Sequence, residues 1–267
     1  CDNGIAAVKE IAYAKSLGMT VIITDHHELQ EEIPPADVVV NPHQKDCPYP
    51  YKNLCGAGVA WKLVSALWEQ LRVPEQELYE DLLLFAGFAT VGDVMDLTGE
   101  NRILVKEALK LLKTTSHPGI SALIEVNEIS REAISAFHIG FVLGPCINAS
   151  GRLDTAKRAL ELLKTTDYEK ALVKAAELKA LNDERKSMTD DGVQQALDQI
   201  ENSDMKRDRV LVIYLPDCHE SLAGIIAGRI RERYYRPVFV LTRSQDGVKG
   251  SGRSIETYSM FEEMSKC

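Results

Sequence analysis

The first 42 residues alternate a helical pattern with short runs of β-branched residues, and this alternation restricts the fold more than any other feature. Residues 5–18, IAAVKEIAYAKSLG, carry apolar side chains at helical spacing and end at a glycine. Two strand patterns follow, MTVIITD at residues 19–25 and ADVVVNP at residues 36–42. A helix followed by strands at such short spacing predicts an α/β fold, in which a parallel sheet carries helices on its faces.

The rest of the chain predicts a second, smaller α/β region. Helical patterns dominate residues 56–200, and strand patterns return afterwards as RVLVIYLP, PVFVLTRS and GVKGSGRSI. The first two of these flank a helical pattern, SLAGIIAGRIRERYY. We therefore expect a parallel-sheet domain over residues 1–155, connecting helices over residues 156–204 and a small α/β domain over residues 205–267.

Composition describes an ordinary globular chain, with 45% hydrophobic and 27% charged residues. No apolar run reaches the length of a membrane span and no signal peptide opens the chain, so we expect a cytoplasmic location. The net charge of −9 argues against bulk coating of nucleic acid, although local basic patches remain compatible with it. The chain starts without Met and stops within a helical pattern, which suggests a piece of a longer protein.

Acidic and imidazole side chains stand at three places where predicted elements end or begin. Asp2 precedes the first helix, Asp25, His26 and His27 follow a β-branched strand directly, and Asp93 closes an apolar segment. In open parallel sheets, functional groups gather where strands end, and carboxylate and imidazole ligands suit Mn²⁺. Asp2 and Asp93, taken singly, are explained as well by a turn or a helix cap. The Asp-His-His run favours a divalent-metal site.

That run, in VIITDHHE, resembles the signature of the DHH phosphoesterase family. Further segments, in the same order along the chain, resemble the RecJ-type branch of the family: NPHQKDCPYPYKNLCGAGVAWKL, ATVGDVMDLTGENR, GPCINASGRLDTA, HESLAGIIAGRI and KGSGRS. The resemblance implies a parallel-sheet DHH domain joined by a long helix to a smaller DHH-associated domain. It also implies an exonuclease that hydrolyses single-stranded DNA from its 5′ end, in repair and recombination. Expected partners are single-stranded DNA, a single-strand-binding protein and a helicase, with no membrane and a monomeric state.

The resemblance assigns Asp2, His26 and Asp93 as ligands of a two-metal site that holds Mn²⁺ or Mg²⁺. His27 would face the scissile phosphate and Asp25 would support it from behind. Two cations about 3.5–4 Å apart can activate a water and neutralise the attacking and leaving oxygens. The family's first motif, Asp-x-Asp, does not occur in these 267 residues, and the downstream nucleic-acid-binding OB domain is not recognised either. We therefore expect the chain by itself to be an impaired or inactive catalyst.

Five side chains are candidates for contacts with the phosphates of the strand. NASGRLDTA places Asn148 and Arg152 just before a predicted helix, although a surface salt bridge explains Arg152 equally well without the resemblance. KGSGRS is typical of a small-residue turn whose backbone N–H groups can approach an anion, with Ser251 and Arg253 as side-chain donors. His219 opens the preceding helix.

Two other functions remain open. Relatives that hydrolyse very short oligonucleotides or cyclic dinucleotides share the Asp-His-His run, but GPCINASGRL favours the RecJ type. A catalytically inactive RecJ-like scaffold is the second alternative. Retention of Asp2, His26, His27 and Asp93 argues against it.

Overall fold

The computed structural model describes residues 1–72, 76–245 and 247–266 and has the predicted α/β class. Contacts divide the chain into two compact units. One contains Cys1–Pro145 and Leu163–Leu172, and the other contains Cys146–Leu162 and Val173–Cys267. This division differs from the expected boundaries at residues 155 and 204, and the three-part domain assignment stays a prediction. Among the described residues, no helix combines the length and apolarity needed to cross a membrane.

The first unit opens with a helix and a parallel strand pair. A 3₁₀ turn, Gly4–Ala6, leads into α1 (Val8–Ser16), and β1 (Ile22–Thr24) pairs in parallel with β2 (Val38–Val40). Both strands are shorter than their apolar patterns. The backbone N–H of Val21 bonds to the Asp37 carboxylate at 2.7 Å, so a side chain takes the place of a strand partner there.

Four helices complete most of this unit: α2 (Gly56–Leu71), α3 (Gln76–Gly92), α4 (Gly99–Thr114) and α5 (Pro118–Val126). The helix α2 begins at residue 56, where the helical patterns of the sequence begin, and Cys55 caps it by accepting the Gly58 N–H. Gly87 of α3 lets that helix approach Ala108 of α4 closely. Buried apolar side chains on both helices, Leu84, Leu104 and Leu112 among them, contribute to the core of the unit.

A continuous helical stretch follows a short 3₁₀ turn, Arg131–Ala133. It consists of α6 (Ala136–His138), a π-helical turn at Ile139–Leu143 and α7 (Gly144–Leu153). Next come α8 (Lys157–Lys164) and the 34-residue helix α9 (Tyr168–Glu201). The Asp167 carboxylate caps α9 by accepting the Lys170 N–H at 3.1 Å.

The second unit holds a three-stranded sheet in the order β3, β4, β5. After a 3₁₀ turn at Asp204–Arg207, β3 (Leu211–Tyr214) runs parallel to β4 (Val238–Ser244), and β5 (Gly247–Arg253) is antiparallel to β4. The crossover between β3 and β4 contains a 3₁₀ turn, Glu220–Leu222, and α10 (Ala223–Tyr234). A short α11 (Met260–Met264) follows β5.

The strand predicted over GVKGSGRSI is present as β5, but the turn predicted within KGSGRS is wrong. All residues of KGSGRS but the last belong to β5, and Ser251 pairs with Val240 of β4. Glycine and serine are common in turns, but pairing with a neighbouring strand decides the conformation here.

Candidate metal centre and phosphate-binding residues

The His26 ring lies between two carboxylates that are far apart along the chain. Its Nε2 is 3.2 Å from Asp2 Oδ1 and 3.4 Å from Asp93 Oδ2. The His26 side chain is largely buried, while both carboxylates remain accessible to solvent. The structure therefore brings together the three residues expected to bind metal.

Asp2 is held in an unusual backbone conformation. Its φ of 68° lies in the left-handed region, which costs energy for any residue other than glycine. The Asp2 N–H donates to the Thr24 carbonyl at 2.8 Å, so Asp2 is fastened to the end of β1. The Asp2 carboxylate occupies the space that a Cβ would take at Gly56, the first residue of α2.

Asp93 follows a helix and not a strand, which corrects the expectation that its apolar segment ends at the edge of the sheet. The Val94 N–H donates to the Val91 carbonyl and the Met95 N–H donates to the Thr90 carbonyl, both at 3.1 Å. These two bonds form a Schellman motif, with Val94 in the left-handed conformation at φ 57°. Asp93 is thus fixed at the last turn of α3.

Asp25 is fully buried and accepts hydrogen bonds from four groups. Its Oδ2 accepts the Ile5 N–H at 2.9 Å, and its Oδ1 accepts the N–H groups of His26 and His27 at 2.8 and 3.2 Å. The His27 Nδ1 also lies 2.8 Å from Oδ1. Burial raises the pKa of Asp25, but these hydrogen bonds outweigh burial and lower the pKa to about 2.

His27 is oriented by two residues. The Asp25 carboxylate is ionised above pH 2 and therefore accepts the proton on Nδ1, which leaves Nε2 as the other donor or ligand atom. This hydrogen bond raises the pKa of His27, burial opposes the rise, and the charges of Asp25, Asp2 and Asp93 add to it. The second residue, Asn41, donates from Nδ2 to the His27 carbonyl at 3.0 Å.

Sequence reasoning missed Asn41, although a signal was present. Asn41 is buried and directly follows β2, at the same position relative to its strand that Asp25 occupies after β1. The rule that polar groups at strand ends form the site would have selected Asn41 as well.

Within the described ranges, Asp2, His26 and His27 each offer a ligand atom, and these atoms lie within 4.8 Å of one another. Asp93 adds a carboxylate oxygen, Oδ2, at 3.4 Å from His26 Nε2. A mixed set of carboxylate oxygens and imidazole nitrogens suits Mn²⁺, and the carboxylates alone suit Mg²⁺. The residues present therefore fit a divalent cation.

The second unit contains the candidate phosphate-binding side chains. Asn148 and Arg152 lie within α7, Arg152 in its last turn, and the helix predicted after them is α8, which begins at Lys157. The Arg152 Nη1 donates to the Ser221 carbonyl at 3.1 Å. The His219 Nδ1 lies 2.8 Å from Ser221 Oγ, and His219 caps the 3₁₀ turn before α10.

Ser251 and Arg253 lie over the start of α10. A Cβ at Gly224 would be 2.7 Å from Arg253 Nη2 and 2.8 Å from Ser251 Oγ, so the absence of a side chain at Gly224 makes room for both. The Arg253 Nη1 also donates to Ser251 Oγ at 3.3 Å. Both side chains project from β5 towards α10.

Sequence reasoning also missed Arg185, which is half-buried in the second unit. Its Nε and Nη2 donate to Asn182 Oδ1 at 3.1 and 3.0 Å. Burial lowers the pKa of Arg185, and the nearby guanidinium groups of Arg152 and Arg229 lower it further. Asp190 pairs with Arg229. Nothing in the charge-rich segment around Arg185 distinguishes it from a solvated helix surface.

Comparison with known proteins relates the chain to one family of phosphoesterases. Residues 1–87 match the family described as "DHH family, N-terminal domain". The single-stranded-DNA-specific exonuclease RecJ of Escherichia coli (strain K12) is 38% identical over 281 residues, which cover 99% of the chain and 48% of that relative. The protein of the same name from Bacillus subtilis (strain 168) is 37% identical over 268 residues, covering 100% of the chain and 33% of that relative. The chain spans about half the length of these curated relatives, or less.

Solved structures agree with the sequence relatives. A crystal structure of RecJ in complex with Mn²⁺ from Thermus thermophilus superposes with a TM-score of 0.85 at 34% identity, covering 99% of the chain and 38% of that protein. A second, of exonuclease RecJ bound to manganese, superposes with a TM-score of 0.83 at 34% identity, covering 99% of the chain and 64% of that protein. These likenesses confirm the predicted fold class.

Proposed function

Because residues 1–87 belong to the DHH family and the whole chain is homologous to RecJ exonucleases, we propose that it is the core of a metal-dependent 5′→3′ exonuclease. Its substrate is single-stranded DNA, and its role lies in repair and recombination. The observation that carries the proposal is the position of His26 Nε2, within 3.4 Å of carboxylate oxygens from both Asp2 and Asp93.

Asp2, His26 and Asp93 hold the divalent cation, Mn²⁺ or Mg²⁺, in a two-metal site of the complete protein. Two matching crystal structures are of RecJ with Mn²⁺, and a third is of RecJ with Mg²⁺. When bound, such cations supply an activated water and neutralise charge on the phosphate being displaced. The mixed carboxylate and imidazole donor set supports this assignment.

His27 contacts the scissile phosphate, and Asp25 positions it. The Nδ1 of His27 is engaged by the buried Asp25 carboxylate, so Nε2 is the nitrogen free to face a substrate oxygen. The hydrogen bond to Asp25 raises the pKa of His27 and keeps a proton on Nδ1, which fixes the orientation of the ring. Asp25 acts only through His27 and the backbone, because it has no exposed surface.

The strand is held through its phosphates by Asn148, Arg152, His219, Ser251 and Arg253. The two arginines can bind phosphate oxygens in a bidentate manner, and the serine and histidine add single donors. The approach of Ser251 and Arg253 to Gly224 supports their acting as one pair.

His26→Ala in the complete gene product tests the proposal. Mn²⁺-dependent hydrolysis of a 5′-labelled single strand should fall by more than about a hundredfold, since even residues behind the ligands cost 10–100-fold. Circular dichroism should show an unchanged fold. His117→Ala is the matched control, because His117 Nδ1 accepts the Ile120 N–H at 3.4 Å at the start of α5 and its ring packs on Phe85. Hydrolysis at the wild-type rate by the His26 variant would remove His26 from the ligand set.

The two alternatives make different predictions for the wild-type protein. Hydrolysis of a dinucleotide without hydrolysis of a long single strand would assign the chain to the short-oligonucleotide enzymes. Strand binding without any hydrolysis by the complete gene product would favour the inactive scaffold.

The remaining expectations are retained as predictions. They are the single-strand-binding protein and helicase partners, the monomeric state, the cytoplasmic location and the impaired activity of these 267 residues alone. Sedimentation of the complete gene product tests the monomeric state, and its activity relative to the 267-residue chain tests the impairment.

A further inference from the structure

A groove of about 770 Å³ on the first unit is lined by a row of cations from α4. Arg102, Lys106, Lys110 and Lys113 follow one another at intervals of four, four and three residues, which places them on one face of the helix. A separation of four residues corresponds to about 6 Å along the helix axis. Four cations on one helical face reverse the local charge of a chain whose net charge is −9.

In the portion that the structure describes, nearby carboxylates pair with only two of these four cations. Lys110 lies 2.8 Å from Glu107, and Lys113 lies 3.9 Å from Glu132 at the rim of the groove. Such exposed pairs are weak and are readily exchanged for another anion. Within the part of the chain that the structure describes, Arg102 and Lys106 form no ion pair, and both are exposed.

The floor of the groove is apolar and begins in the loop that follows α3. Leu97, Val105 and Leu109 contribute to it. Leu97 lies four residues after Asp93, and the connecting loop is fixed because Asn101 Nδ2 donates to the Asp96 carbonyl at 3.1 Å. The groove therefore leads away from the end of α3.

An exposed aromatic pair adjoins the groove. Ala136 lines it, and the next residue, Phe137, stacks on Phe141 with ring centroids 5.1 Å apart and an interplanar angle of 25°. These side chains are 60% and 69% exposed, which is a large apolar surface to leave in water. The π-helical turn between them packs on α3, since a Cβ at Gly140 would lie 3.5 Å from Val91.

We propose that this groove binds single-stranded nucleic acid, with phosphates on the α4 cations and bases stacked on Phe137 and Phe141. The inference deepens the proposed function and rests on it. Proteins that hold single strands combine a positive track for the backbone with aromatic rings for the bases, and both features adjoin here. An acidic peptide would use the cations but has less need of a stacked aromatic pair.

The first test measures binding with hydrolysis switched off. In the complete gene product carrying His26→Ala, fluorescence anisotropy gives the affinity for a labelled oligothymidylate at several salt concentrations. Adding Arg102→Gln with Lys106→Gln should weaken binding and reduce the slope of log K against log salt by about 0.7 for each lost phosphate contact. The matched control is Lys9→Gln with Lys45→Gln, which removes the same charge from exposed lysines outside the groove and should leave the slope unchanged.

The second test separates stacking from charge. Phe137→Ala with Phe141→Ala should weaken oligothymidylate binding about tenfold and leave the salt slope unchanged, because stacking releases no counterions. Thermal melting checks the fold, and Phe137→Leu with Phe141→Leu provides a second variant that keeps apolar volume but removes the rings.

Unchanged affinity and salt slope in the Arg102 and Lys106 double variant would overturn the proposal. If the Arg102 and Lys106 double variant loses binding of poly-L-glutamate but keeps binding of oligothymidylate, the groove is assigned to an acidic peptide instead. A dimer that dissociates in either variant would assign it to a second copy of the chain. If the wild-type protein binds oligothymidylate through this groove and hydrolyses no strand, the proposed exonuclease activity fails while the groove assignment stands.

Discussion

The Asp2 carboxylate lies where a side chain at Gly56 would begin. A Cβ built on Gly56 would overlap Asp2 Oδ1, Cγ and Cβ, so only glycine at this position leaves room for the carboxylate next to His26. The strained backbone of Asp2 and its hydrogen bond to Thr24 limit how far Asp2 can move away. The position of one candidate metal ligand thus depends on a residue that carries no functional group.

Gly56→Ala should therefore displace Asp2 and lower Mn²⁺ affinity by about tenfold or more, in the range found for residues that support ligands. Isothermal titration calorimetry with Mn²⁺ measures this directly, and strand hydrolysis should fall with it. Helix propensity favours alanine, so loss of affinity would not reflect a weaker α2.

Gly58→Ala is the control for this prediction. Gly58 lies in the same first turn of α2, and a Cβ there would meet only Leu54 atoms at 3.5 Å and the Cys55 sulfur at 3.7 Å, which are ordinary contacts. This variant should keep its Mn²⁺ affinity and gain roughly 0.5–1 kcal/mol in stability. Equal metal affinity in both variants would contradict the steric role of Gly56.

Asp25→Asn should destabilise the fold. A single amide oxygen cannot accept all four hydrogen bonds of the carboxylate, and the amide NH₂ would face other donors. The lowering of the Asp25 pKa from 3.8 to about 2 corresponds to about 2 kcal/mol of stabilisation by the charged form. Urea unfolding at pH 7 should show a loss of about that size.

The Asp25 carboxylate should also make the stability of the fold decrease at acidic pH. The pKa of Asp25 is lower in the folded state than in the unfolded state. The carboxylate therefore stabilises the fold fully above pH 3.8, and this stabilisation disappears as the pH falls towards 2. The stability difference between wild type and Asp25→Asn should therefore narrow in this acidic window. A difference that stayed constant as the pH fell from neutral to about 2 would mean that the carboxylate charge is not what stabilises the turn.

Local sequence patterns correctly predicted those helices and strands whose conformation depends mainly on their own residues. The helix α2 spans residues 56–71, as its apolar spacing indicates, and the β-branched runs around Ile23 and Val39 form parallel strands. The rule on strand ends found Asp25, His26 and His27. These features depend on periodicity and strand direction, which can be read from neighbouring residues.

Features that depend on distant contacts were not predictable in this way. The apolar segment before Asp93 forms a helix, and an apolar run alone does not distinguish a buried helix from a buried strand. The glycines of KGSGRS favour a turn, but residues 249–253 stay extended because they pair with β4. The role of Gly56 arises only because Asp2, far away in sequence, lies against it.

Val94→Gly should stabilise the protein by about 1 kcal/mol, because Val94 occupies the left-handed position after α3, where a β-branched residue is strained and glycine is preferred. Its side chain is 88% exposed, so little packing is lost. Val173→Gly is the matched control, because Val173 is an exposed valine inside α9 and glycine there should cost roughly 0.5 kcal/mol. Urea denaturation measures both changes, and a loss of stability in both would show that Val94 makes contacts that outweigh its strain.

Gly224 makes the same kind of room for the phosphate-binding pair that Gly56 makes for Asp2. Gly224→Ala would bring a Cβ to within 2.8 Å of Arg253 Nη2 and Ser251 Oγ, and the flexible guanidinium would move at little cost in stability. We expect about tenfold weaker binding of a single strand, the size of one lost charge-assisted hydrogen bond. Gly228→Ala lies one turn further along α10, where a Cβ would be 4.0 Å from Arg253 Nε, and it should bind as wild type. Fluorescence anisotropy with both variants, alongside their melting temperatures, tests this, and equal affinities would show that Ser251 and Arg253 do not contact the strand.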